Sequence, residues 1–126
     1  MSPVVRYAAA LIVLIHGLIH LMGFVSYWRL AVIEGIPYKT TLLNGAWEVG
    51  ESGIRLFGAL WLVATVAFIL ADIGLVTEQD WWPPVMAGAA VLSLVITALD
   101  WRVAYTGVVI NVVILALLLI VPRLTG

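Results

Sequence analysis

The chain has 126 residues, of which 64% are hydrophobic and only 10% charged, with a mean hydropathy of +1.17 and a formal net charge of -1. A soluble domain carries about a quarter charged residues, so this is a membrane composition, and with no basic stripe it excludes nucleic acid as a partner. The absence of cysteine removes disulfides, iron–sulfur clusters and thiolate metal sites.

The first element is the apolar run from Tyr7 to Trp28, bracketed by Arg6 and Arg29. As a helix it extends roughly 33 Å, about the thickness of a hydrocarbon core. It is too long for a signal peptide and lacks a small-x-small cleavage site, so it reads as a retained span. Tyr27 and Trp28 mark its interfacial end. Residues 29–50 form a longer loop that contains Gly35, Pro37 and Asn44-Gly45 but also Leu30, Ile33, Ile36, Leu42, Leu43 and Trp47. That mixture predicts a segment lying along the membrane interface or over the mouth of the bundle, with a short helix. A second span covers about 52–71, capped by Ser52 or Asn44 and ended by Asp72. Glu51 lies four residues before Arg55, so an ion pair along the helix is expected, with headgroup contact as the alternative for Arg55. An acidic turn (Asp72, Glu78, Asp80) leads through Trp81-Trp82 to Pro83 and Pro84, which suit the first turn of a helix. Span 3 covers about 83–99, Asp100-Trp101-Arg102 forms a tight corner, and span 4 covers about 103–121, closed by Pro122 and Arg123.

Continuous apolar runs rather than alternating ones imply helices, because lipid leaves no partner for unpaired backbone groups. The reading is one all-α domain over 1–126, a four-helix transmembrane bundle with short connections and one longer interfacial loop. Both termini then share a side with Arg6, Arg123 and the acidic turn. Arg29, Lys39, Arg55 and Arg102 occupy the other side, toward which the positive-inside rule leans as cytoplasmic.

The chemistry-bearing residues concentrate at mid-membrane. His16 and His20, the only histidines, are four apart and share a helix face. A neutral pair at this spacing can hold one metal ion. It cannot supply both axial ligands of one haem, although a single-histidine haem or one shared between protomers is open. The same pair can instead hydrogen-bond across helices and specify packing. Asn111, midway along span 4 in line with Gly107, needs a partner such as a span 1 histidine or a span 3 carbonyl. Glu48 and Glu51 either join the histidines in an acid–base or cation site or are a solvated helix start. In span 3 the stripe Met86, Ala90, Ser93, Thr97, Asp100 is expected to face the bundle. Gly17, Gly53, Gly58 and Gly107 read as points of close approach, while Trp61 and Thr65 share a face of span 2 that is either inner or outer. No nucleotide loop, Ser-His-Asp set or transporter repeat is present, so the reading leans away from an enzyme.

Arg6, His16-Gly17, His20 and Leu21-Met22-Gly23 together resemble the opening helix of the DoxX-like family of small four-span membrane proteins. His20 stands where that family commonly has lysine. Phe57-Gly58-Ala59-Leu60-Trp61-Leu62 and the stretch Trp101 to Asn111 are similar to an uncharacterised bacterial branch carrying His-Gly-Leu-Ile-His. The resemblance implies a four-helix bundle of a bacterial or archaeal inner membrane, associated with quinone-linked respiratory or redox complexes.

Three function classes follow. The first is an accessory or binding module that holds a lipid- or quinone-like molecule, or a partner subunit, at the His16/His20/Asn111 face, with Glu48, Glu51 and Arg55 as further candidates. The second is a structural subunit of a larger membrane complex or a homo-oligomer. The third is a metal- or haem-binding redox protein using His16 and His20.

Overall fold

The computed structural model describes residues 1–125, with side chains through 120. Four helices account for most of it: α1 Pro3–Tyr27, α2 Gly50–Val76, α3 Trp82–Leu99 and α4 Trp101–Thr125. All four are long and apolar enough to cross a membrane, and the chain is an integral membrane protein with lipid as its surroundings. Packing proceeds in chain order, α1 on α2, α2 on α3 and α3 on α4. The helix bounds exceed the predicted spans by up to five residues, because interfacial turns continue the helices past the apolar runs. Closure of the fourth span at Pro122 and Arg123 lies outside the described side chains.

The ends of the helices explain the boundaries. Ser2 caps α1 by accepting from the Val5 amide at 3.2 Å, with Pro3 in the first turn, where no intrahelical donor is lost. Neither Ser52 nor Asn44 caps α2. Val49 occupies that position without a side-chain bond, and the Glu48 carboxylate takes the Gly50 amide at 3.0 Å instead. Asp72 does not end α2 but lies within it, a turn before its last residue, Val76. The prolines do open α3. At the next corner the Asp100 carbonyl accepts from Val103 and Ala104 at 3.0 and 2.9 Å, and Ala104 leaves helical geometry (φ -124, ψ 22). That kink lets α4 turn back against α3 with a single connecting residue.

The loop after α1 contains no helix. It makes a small hairpin, with β1 Thr41–Leu42 antiparallel to β2 Trp47–Glu48 in the register Thr41↔Glu48 and Leu42↔Trp47. Leu43, Asn44 and Gly45 all take positive φ in its turn (52, 60 and 89). Asn and Gly tolerate that conformation, whereas Leu43 is held in it by its amide bond to the Leu99 carbonyl at 2.9 Å. The hairpin is thereby fixed to the end of α3.

Two apolar clusters fill the bundle. One, toward the hairpin, contains Tyr27, Leu42, Ile54, Phe57, Trp61, Ala64 and Ile96; the other, toward the termini, contains Val13, Phe68, Ala71, Met86, Ala89 and Ala90. A polar layer lies between them. Glycines set the helix spacing where large rings meet a neighbouring backbone. A Cβ on Gly23 would stand 2.6 Å from the Trp61 ring, one on Gly17 2.9 Å from the Phe68 Cβ, and one on Gly58 2.7 Å from Trp28. Gly107 likewise admits Thr97 at 2.9 Å. Gly53 is not an interhelical contact: the atom its Cβ would meet is on Val49, four residues earlier.

Candidate functional site

The mid-membrane polar layer is built from three helices. His16 and His20 come from adjacent turns of α1, Ser93 from α3 and Asn111 from α4, and all four are buried, Ser93 and Asn111 completely. The i, i+4 spacing stacks the two imidazoles on one face, with ring centroids 4.8 Å apart and planes at 88°. His20 Nδ1 meets the His16 carbonyl oxygen at 2.7 Å, and a carbonyl only accepts, so Nδ1 carries the proton. His20 Nε2 is then the acceptor for the Ser93 hydroxyl at 2.5 Å. Ser93 Oγ in turn accepts from Asn111 Nδ2 at 2.7 Å. Asn111 Oδ1 accepts from His16 Nε2–H at 3.0 Å.

The donors thus follow one direction, from His16 through Asn111, Ser93 and His20 to the His16 carbonyl. Three of the four imidazole nitrogens are engaged. Such a chain holds helices together well but conducts protons poorly, because a carboxamide in its middle cannot accept a proton and pass one on as an imidazole or hydroxyl can. Nor does the pair, as arranged, present two free nitrogens to one metal ion. No group of three or more histidine, aspartate or glutamate ligands occurs among the described residues.

Aromatic rings wall the layer. Phe68 lies 5.1 Å from His16 and Trp61 lies 5.2 Å from His20, centroid to centroid. Thr65 Oγ1 donates to the Gly17 carbonyl at 3.0 Å, tying α2 to α1 at the same level. Trp61 and Thr65 are therefore both on the inner face, as is the whole stripe from Met86 to Asp100. Among the described residues two buried polar side-chain atoms have no partner: Trp61 Nε1 beside the histidine layer, and Asp72 Oδ1 toward the other end of α2.

The remaining candidates are elsewhere. Glu51, in the first turn of α2, pairs with Arg29 at 2.9 Å rather than with Arg55. Arg55 instead stacks over the Trp28 ring at 4.6 Å, because Trp28 reaches across to donate its indole N–H to the Arg55 carbonyl at 2.8 Å. Glu48 belongs to β2. The histidine layer is level with Thr65, fourteen residues along α2 from Glu51, about 21 Å at helical rise. Neither glutamate joins the histidines.

A second buried polar cluster occupies the mouth of the bundle. The Asp100 carboxylate, 2% exposed, accepts from the Tyr27 hydroxyl through Oδ2 and from the Lys39 ammonium through Oδ1. Ser26 adds a bond to the Ile36 carbonyl at 2.5 Å. These contacts fasten the 28–49 segment across the end of α1 and α3. Sequence reading placed Asp100 in the inward stripe but missed Lys39 as its partner, since sixty-one residues separate them. Ser93 was likewise seen as inward-facing but not as the junction of the histidine chain. At the opposite end Arg6 pairs with Glu78 at 2.8 Å and brings the start of α1 to the acidic turn.

Comparison with protein-family models, with curated proteins and with solved structures finds no match.

Proposed function

We propose that the protein is a non-enzymatic accessory subunit of a membrane complex, and that the His16–Asn111–Ser93–His20 chain sets the register of its helices rather than receiving a ligand. One observation carries the reading: the chain begins and ends on His16 and consumes three of the four imidazole nitrogens internally. A polar layer between two apolar clusters penalises any sliding of one helix past another, since each slip strands a donor in hydrocarbon. The likeness of the first helix to DoxX-like proteins extends the proposal to a bacterial or archaeal cell membrane and to respiratory or redox partners.

The reading has a quantitative test. Asn111→Leu removes two bonds and leaves the His16 N–H stranded, with an expected loss of about 1–2 kcal/mol. Replacing all four polar groups together (His16→Leu, His20→Leu, Ser93→Ala, Asn111→Leu) removes the stranded groups as well and is expected to fall within about 1 kcal/mol of the parent protein. Denaturation in mixed micelles, followed by circular dichroism, measures both. Small molecules extracted from the parent and the fourfold variant are compared by mass spectrometry, and visible spectra are recorded. A stoichiometric quinone, metal or haem present in the first and lost from the second overturns the reading in favour of a ligand site.

A further inference from the structure

Between the hairpin and α2 lies a groove of about 480 Å³ at the membrane boundary. Leu42 and Phe57 line its buried part, each 4% exposed, and Leu60 and Leu99 continue the apolar wall. At the loop end stand Trp47 and Glu48, both exposed. We propose that this groove holds one acyl chain of a phospholipid whose headgroup carries a primary ammonium, with the Glu48 carboxylate as the counter-charge.

Three observations converge on that occupant. First, its α2 wall runs from Gly53 to Leu60, seven residues or about 10 Å at helical rise, so it accommodates a length of acyl chain entering the leaflet from the boundary. Second, a tryptophan marks the headgroup level at the loop end, as interfacial tryptophans do. Third, the Glu48 carboxylate lines the groove and has no cationic partner among the described residues. Among the described residues it accepts from the Gly50 amide alone. A lone carboxylate beside a chain-shaped apolar groove attracts an ammonium headgroup and repels a phosphatidylglycerol. The site is separate from the histidine layer, and it stands or falls independently of the role proposed for that layer.

The test reconstitutes the full chain with equal parts of dioleoyl phosphatidylethanolamine, phosphatidylglycerol and phosphatidylcholine, and reads bound lipid by native mass spectrometry after release in mild detergent. The expected result is a one-lipid adduct in which phosphatidylethanolamine exceeds phosphatidylglycerol about fivefold, the ratio given by an ion pair of about 1 kcal/mol, and exceeds phosphatidylcholine by a smaller factor, because choline carries the same charge but has no N–H to donate. Glu48→Gln is expected to bring the ratio to near one while the one-lipid adduct persists. Leu56→Trp, at a lining position 66% exposed, is expected to fill the groove and cut the adduct of every lipid severalfold with an unchanged thermal midpoint. Equal adducts in the parent protein, a preference retained by Glu48→Gln, or an adduct undiminished by Leu56→Trp would each overturn the proposal.

Discussion

Replacing Asp100 by alanine is expected to destabilise the protein by about 3 kcal/mol, the scale for removing one partner of a buried ion pair. The carboxylate is almost fully buried, and both groups that depend on it come from other parts of the chain, Tyr27 at the end of α1 and Lys39 in the loop. Without it the Tyr27 hydroxyl is left unpaired in a fully buried position, and Lys39 has nothing to hold it at the mouth. The effect should show in two ways. The unfolding midpoint falls in mixed micelles, and trypsin cleaves after Lys39 far faster than in the parent protein. Lys39→Met should reproduce the stability loss only in part, because Tyr27 still bonds the carboxylate. An Asp100→Ala variant with the parent's midpoint and the parent's trypsin resistance would show that the loop is fastened by something else.

Gly23→Val is expected to cost about 3 kcal/mol, at the upper end of the range for overpacking a close contact. Even the first added carbon would stand 2.6 Å from Trp61 Cδ2 and 2.8 Å from Cε3, well inside van der Waals contact. Trp61 cannot swing aside, since its ring is packed among His20, Tyr27 and Phe57. The second variant, Trp61→Leu, creates room and should therefore couple to the first. The pair Gly23→Val with Trp61→Leu is expected to be more stable than the sum of the two single losses predicts. Strict additivity in a denaturation series would mean that the helices separate at this point rather than press on the ring.

The four spans were legible because hydrophobic runs of membrane length have few alternatives in lipid. The inward stripe of α3 was legible for the same reason, as small and polar side chains at helical spacing avoid acyl chains. Asn111 was also legible, since a lone carboxamide in hydrocarbon needs a partner, and His16 was among those foreseen. What escaped was anything requiring knowledge of which distant groups meet. Glu51 was expected to bond along its own helix to Arg55, yet Arg29 offers a guanidinium from the loop and Trp28 draws Arg55 away. The hairpin carried a readable signal in Asn44-Gly45, a dipeptide that favours tight turns between strands. Its flanking strands are only two residues each, too short for alternation to register. Gly23 also went unremarked as a packing residue, because the ring it accommodates belongs to a different span.

The Lys39–Asp100 contact has a consequence for assembly at the ribosome. Lys39 emerges long before its partner, and Asp100 follows only after the third helix has been made. Throughout that interval Lys39 is without the Asp100 carboxylate, and the hairpin has no Leu99 carbonyl to grip. The mouth of the bundle is therefore sealed late, when the corner between the third and fourth helices arrives. A nascent chain halted before that corner would hold its first two helices side by side under an open door.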